Sequence, residues 1–180
     1  MISIPPRNIG LSPLHEAASR GDTTKIKELL AQGVDVNACD DAGGTPVFNA
    51  AANSNSNSIR LLASAHAAID VPNKQGTAPI HKAAENGHLR AIFALIDSGA
   101  SIHSRNRDGE MPLHLAARNN HAEVVRELLK LGASPDVKNN RGKDVLRLAK
   151  DYHAAEALKA LEQYYKNQPI LRRIKRLFSK

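Results

Sequence analysis

G109-E-M-P-L-H-L-A-A117 is the stretch that decides how this chain folds, because near-copies of it lie upstream at a fixed interval. G76-T-A-P-I-H-K-A-A84 comes 33 residues earlier, and G43-G-T-P-V-F-N-A-A51 and G10-L-S-P-L-H-E-A-A18 continue the same step. Gly142 extends the glycine series, with Val145 in place of the proline. Further along each copy, Leu29, Leu62, Leu95, Leu128 and Leu161 keep the register without insertion or deletion. A period of that size marks one supersecondary unit stacked on copies of itself.

Each recurring residue has a local reason. Ser12 or Thr45 can cap a helix whose first position is proline, where the missing N–H costs nothing. Leu14, Ala17 and Ala18 then share one helical face, as do Ile26, Leu29 and Leu30 in the next helix. The paired alanines let helices approach closely. Gly33, Gly99 and Gly132 stand where a helix ends in a left-handed turn. The pattern predicts two antiparallel helices per repeat and a projecting hairpin-like loop.

Gly-x-Thr-Pro-Leu-His-x-Ala-Ala is the ankyrin signature, and the four copies above resemble it. After the second helix the family's Leu-Leu-x-x-Gly-Ala-x-x-Asn has similar copies in L29-L-A-Q-G-V-D-V-N37, L95-I-D-S-G-A-S-I-H103 and L128-L-K-L-G-A-S-P-D136. The chain therefore resembles ankyrin-repeat proteins over roughly residues 8–165. The implied fold is an all-α solenoid of helix–turn–helix units, four full repeats (9–39, 40–72, 73–105, 106–138) and a C-terminal cap (139–165). A leader, 1–8, and a basic amphipathic tail, 166–180, flank the repeat domain. Repeat two departs most: N53-S-N-S-N-S58 runs between its helices, and His66 replaces the terminating glycine. Asn and Ser favour turns over helix, so a longer or looser turn is expected there.

Composition narrows the function. The lone Cys39 excludes an internal disulfide and fits a reducing compartment. No run reaches the roughly 18 apolar residues that span a bilayer, and M1-I-S-I-P-P-R-N8 lacks the apolar core of a secretory signal. A cytoplasmic monomer is expected. Lys166, Arg172, Arg173, Lys175, Arg176 and Lys180 supply six of the formal net charge of +7, so the high pI describes the tail.

Chemistry is hard to find. His15, His81 and His114 share one repeat position, which in the family is structural, and His88 and His121 share another. His66, His103 and His153 lack ligand partners at metal spacing. No phosphate loop, nucleophile elbow or carboxylate pair is present. No enzyme activity, cofactor or metal is expected, and the acids beside Cys39 (Asp40, Asp41) argue against a reactive thiol.

The resemblance implies a protein partner, bound on a concave face of hairpin tips and first helices. On this chain those positions are Asp40, Asp41, Lys74, Gln75, Arg107, Asp108, Glu110, Arg141 and Lys143 in the loops. Glu85, Asn86, Arg118, Asn119 and Tyr152 come from the first helices. Arg107, Arg118 and Tyr152 are the expected anchors, since Arg and aromatics dominate interface energetics, and all three are expected to point away from the core. A small ankyrin protein with a basic tail resembles effectors that intracellular bacteria deliver into host cells, which would place this one in host cytoplasm; it equally resembles small eukaryotic adaptors or inhibitor subunits. Asn37, eight residues after Leu29, resembles the site hydroxylated by the eukaryotic asparaginyl hydroxylase.

The tail I170-L-R-R-I-K-R-L-F178 places its apolar residues on one helical stripe opposite Arg172, Arg173, Lys175 and Arg176. Three readings stay open: an extra capping helix, an anionic membrane surface, or a linear signal for a transport receptor. Nucleic-acid binding is disfavoured, because stacking aromatics are nearly absent. An adaptor located by its tail is the alternative to the repeat-face reading.

Overall fold

Wherever the period puts a proline, or Val145, at a first helical position, a short helix begins, and a second follows after a two- or three-residue turn. In chain order the pairs are α1 (Pro13–Arg20) and α2 (Thr23–Ala31), α3 (Pro46–Ala52) and α4 (Ser56–Ser64), and α5 (Pro79–Glu85) and α6 (Leu89–Asp97). Then come α7 (Pro112–Arg118) and α8 (Ala122–Lys130), and α9 (Val145–Asp151) and α10 (Ala155–Asn167). The computed structural model describes residues 12–167, all-helical with no strand among them. The leader, Gly10 and the tail cations Arg172, Arg173, Lys175 and Arg176 lie outside the described residues.

The chain divides into two compact units: one runs through Ala83 and takes in Arg90–Ala100, the other holds Ala84–Leu89 and the chain from Ser101 on. In the first, α1 packs on α2 and α3, and α4 on α2 and α3. In the second, α7 packs on α8 and α9, and α10 on α7, α8 and α9. The paired alanines sit where first helices meet: Ala18, Ala50 and Ala51 in one unit and Ala116, Ala117 and Ala149 in the other are fully buried. Leu14, Ile26, Ile59 and Leu62, then Leu113, Leu128 and Leu161, fill the layers between. Each such side chain contributes about 2 kcal/mol by burial. Leu30, expected with Ile26 and Leu29, is only half-buried.

Capping is more varied than the sequence suggests. Thr45 accepts from the Phe48 amide at 3.3 Å. Ser12 instead turns its hydroxyl to His15 Nδ1, 2.7 Å away. His15 Nε2 lies 2.9 Å from the Gly44 carbonyl, which can only accept, so Nδ1 takes the Ser12 proton. His114 does the equivalent work, accepting from the Met111 amide (3.1 Å) and donating to the Val137 carbonyl (2.9 Å). These imidazoles tie α1 and α7 to the loop that follows each repeat.

Burial holds His114 below the ordinary histidine range, against the Val137 bond and the nearby Glu110 charge, which pull it back up. The unfolded chain therefore binds a proton more readily, and His114's stabilising share is complete above pH 6.5 and lost as pH falls below it. Denaturant titrations across that range should show the stability gap between wild type and His114→Gln narrowing as pH drops. A pH-independent gap would contradict the assignment.

Repeat two corrects an expectation. Its inter-helix turn is no longer than the others: Ser54 adopts the left-handed conformation (φ 61°) that Gly21, Gly87, Asn120 and His153 adopt at the same position. Nor is it loose. Asn55 Nδ2 donates to the Ala18 and Ser19 carbonyls (3.1 and 2.7 Å), and Asn53 Nδ2 to Ser19 Oγ (3.0 Å) and the Asn49 carbonyl (2.9 Å). The Asn/Ser run is used as cross-repeat hydrogen bonding. One cost remains in it: Ser58 Oγ is fully buried with no partner. Ala91 and Ala157 occupy the same position in other repeats. Ser58→Ala is expected to raise stability by about 1 kcal/mol, since it removes an unsatisfied hydroxyl and improves helix propensity; equilibrium unfolding checks this, and a loss would mean the hydroxyl has a partner in solution.

The last pair closes on charge. Glu156, Lys159 and Glu162 on α10 and Lys150 on α9 are exposed, while Ala157, Ala160 and Leu161 are buried. Asn120 Oδ1 caps α10 by accepting from the Glu156 and Ala157 amides at 2.9 and 3.0 Å. α10 runs to Asn167, past the boundary expected at 165. Tyr165 anchors it to Asp136 by a 2.8 Å bond, and burial, with that bond, raises its phenol well above the usual range.

Candidate functional site

Four hairpins project from the helix pairs, and one side-chain device builds all of them. Asp40 Oδ1 accepts from the amides of Ala42 and Gly44, at 2.9 and 2.8 Å. Asn73, Asn106 and Asn139 repeat the arrangement on residues two and four further on, at 2.9–3.0 Å. The backbone closes each loop between the same residues, Asp40 to Gly44 and Asn139 to Lys143 among them. A short Asp or Asn side chain that mimics a backbone turn is what this geometry needs. Sequence reading placed Asp40 among partner contacts; it is half-buried and organises its loop instead. The signal was available, since 40, 73, 106 and 139 keep the period.

Neighbouring tips are also bonded within each unit. The Lys74 amide donates to the Ala42 carbonyl, and the Asn140 amide to the Asp108 carbonyl, both at 2.9 Å. Lys74 Nζ folds back onto the Asp41 carbonyl (2.7 Å), and Asn140 Nδ2 onto the Arg107 carbonyl (2.9 Å). Within each unit the tips are thus hydrogen-bonded to one another rather than independent loops. Asp41, Gln75, Arg107, Asp108 and Arg141 are exposed on it.

In the second unit the first helices bring a cluster to the same surface. Arg118 Nη1 donates to Glu110 Oε2 at 2.9 Å, and Nη2 lies 3.8 Å from Glu85 Oε1. Glu110 Oε1 accepts from Asn139 Nδ2 at 3.2 Å. The Arg118 guanidinium carbon lies 5.8 Å from the centre of the Tyr152 ring. Glu110 is 5% exposed, whereas Tyr152 is 54% exposed. Two expectations fail here. Glu110 is not a solvent-facing contact, and Arg118, with 22% of its side chain exposed, does not point away from the interior. Arg118 neutralises a buried acid, and its other face supports an aromatic ring.

Around this cluster Lys143 Nζ reaches Asp151 at 2.8 Å and Arg147 reaches it at 2.9 Å. The Lys143 bond, helped by Arg147, holds the Asp151 carboxyl below its usual range. Arg141 stands 3.6 Å from Asp108, both largely exposed. Asn86 and Asn119 are exposed, the latter donating to the Leu115 carbonyl. His121 Nε2 lies 2.8 Å from the Glu85 carbonyl, pinning the end of α5. Asn37 belongs to the first unit; its Oδ1 accepts from the Ala68 amide at 2.8 Å, so it bridges two repeats.

Nothing in this arrangement supplies a nucleophile with a base, and among the described residues no three His, Cys, Asp or Glu side chains are grouped to hold a metal. Cys39 is exposed with a free thiol. What the arrangement offers is a fixed polar surface with one protruding aromatic. A family model described as ankyrin repeats (3 copies) matches residues 14–106, and one described as ankyrin repeats (many copies) matches 95–149. Comparison with curated proteins finds none that matches.

Proposed function

The chain belongs to the ankyrin-repeat family, and on that premise we propose that it binds a partner protein, without catalysis, through its hairpin tips and first helices. Ankyrin repeats are generally protein–protein interaction modules, typically non-catalytic. The observation that carries the choice of face is Tyr152. Large aromatics on a surface lose affinity-relevant entropy unless they are already held, and Arg118 holds this ring. Arg107, Asp108, Asn119 and Arg141 are exposed on the hairpins and first helices of the same unit and can serve as adaptable polar contacts.

Tyr152 and Leu131 are the large apolar side chains exposed among the described residues, and they lie on different helices' ends. They make a matched pair of probes. Tyr152→Ala should weaken capture of the partner by about 1–2 kcal/mol, while Leu131→Ala, at the end of α8, leaves it unchanged. The opposite ranking moves the site to the second helices.

The tail is proposed as a locator, for an anionic membrane surface or a transport receptor, from its sequence alone; no helix among the described residues is long and apolar enough to cross a membrane. A reducing cytoplasm, a host's if the protein is a delivered effector, is proposed from the sequence, which holds one cysteine. Hydroxylation at Asn37 is supported by the Leu29 spacing and by exposure of the residue; mass spectrometry after expression beside the hydroxylase tests it.

A further inference from the structure

Charge is distributed unevenly between the two sides of the second unit. Residues 105–119 and 138–152, the hairpins and first helices, hold eight Lys and Arg against four Asp and Glu. The second helices, 122–130 and 155–167, hold four of each. The four acids of the two hairpin segments are also engaged internally, and Glu85 of α5, on the same side, lies 3.8 Å from Arg118. Glu110 is buried beneath Arg118, Asp151 is held by Lys143 and Arg147, Asp144 caps α9 through the Arg147 amide, and Asp108 faces Arg141.

The exposed cations are less engaged. The side chains of Arg107 and Lys138 form no hydrogen bond or ion pair among the described residues, and Arg105 spends its guanidinium on the Gly109 and Lys138 carbonyls, meeting no acid. Arg141 has a single exposed partner at 3.6 Å. The tips are adjacent, since Asn140 bonds both Arg107 and Asp108. Lys143 joins them to Asp151, the neighbour of Tyr152. One continuous surface therefore carries uncompensated positive charge at one end and a braced aromatic at the other.

We infer that this surface recognises an acidic peptide segment of its partner, with carboxylates against Arg105, Arg107, Lys138 and Arg141 and an apolar side chain on Tyr152. The inference deepens the reading above and rests on it. A peptide fits better than a nucleic acid. Single-stranded nucleic acid is held by several stacked aromatics beside its cations, and one aromatic makes no stacking platform. Carboxylates on a peptide can be spaced to meet these four cations, and complementary charge of this kind supplies specificity and association rate.

Fluorescence anisotropy on the full chain tests this with three labelled probes: a peptide of about 20 residues rich in Glu with one Phe, the same peptide with Gln for Glu, and a single-stranded oligonucleotide of similar length. The Glu peptide should bind about tenfold more tightly than its Gln counterpart and weaken about tenfold between roughly 0.05 and 0.3 M salt. Arg107→Glu with Arg141→Glu should abolish that preference, whereas Arg126→Glu, on exposed α8 surface, leaves it intact; circular dichroism confirms that both variants fold. A Glu peptide that binds no better than the Gln one, an oligonucleotide that binds more tightly, or binding that survives Arg107→Glu/Arg141→Glu (the signature of the basic tail) overturns the inference. If the acidic peptide fails while Tyr152→Ala still weakens capture of the partner, the face stands and the acidic partner falls.

Discussion

Arg118→Ala is expected to lower stability by about 2 kcal/mol, or about 5 °C in melting temperature, while Tyr152→Ala stays within about 0.5 kcal/mol of wild type. The reason is the position of Glu110. Its carboxylate is nearly out of solvent, with Arg118 at 2.9 Å and Asn139 at 3.2 Å as partners. Removing the guanidinium leaves a buried charge with one neutral donor, a situation that costs several kcal/mol in closed interiors. Partial exposure of Arg118 lets water reach the carboxylate, which reduces the loss. Glu110→Gln placed on the Arg118→Ala background should recover roughly half of it by removing the charge, a coupling that a double-mutant cycle reads directly. If Arg118→Ala melts as wild type does, the pair is a surface contact and the brace beneath Tyr152 is lost as an argument.

Gly43→Ala should cost about 3 kcal/mol where Gly33→Ala costs about 1. Both glycines have φ of +78°, so the penalty for a left-handed alanine is common to the two. They differ in surroundings. A Cβ on Gly33 meets nothing within 4 Å, whereas on Gly43 it meets the Lys74 backbone nitrogen and Cγ at 2.9 Å. That nitrogen donates to the Ala42 carbonyl and cannot retreat without breaking the bond between adjacent tips. Chemical denaturation of the two variants measures the difference. Equal losses would mean that the tips are not packed as described, and that the glycine period records only backbone conformation.

The helix pairs were legible because their cause is local and repeats: proline at a first position, glycine after a last turn, alanine where backbones approach. The interior was legible for the same reason, down to Leu161 in a cap without the signature proline and histidine. What escaped was whatever depends on a neighbouring repeat. Asn55 looks like a helix breaker in its own segment and becomes a cross-link only when Ala18 and Ser19 are beside it. Asp40 looks like a free acid until the Ala42 and Gly44 amides turn towards it.

The exposure of the candidate contact residues was only partly legible, for a related reason. Register identifies which residues reach the hairpins and helix ends, and Arg107, Arg141 and Tyr152 are exposed where that register puts them. It does not identify which charge is consumed internally. Glu110 and Arg118 are eight residues apart on elements whose closeness follows from the loop, and Asn139 arrives from the next repeat. No pattern in the Glu110 segment alone distinguishes a buried carboxylate from a surface one.

The most direct test of the hairpin-and-first-helix face is hydrogen exchange of the full chain, free and bound to its partner, compared segment by segment. Binding there should slow exchange at 105–119 and 138–152 and leave α8 and α10 as they are in the free protein. Protection concentrated in 122–130 and 155–167, with the hairpins unchanged, would contradict it.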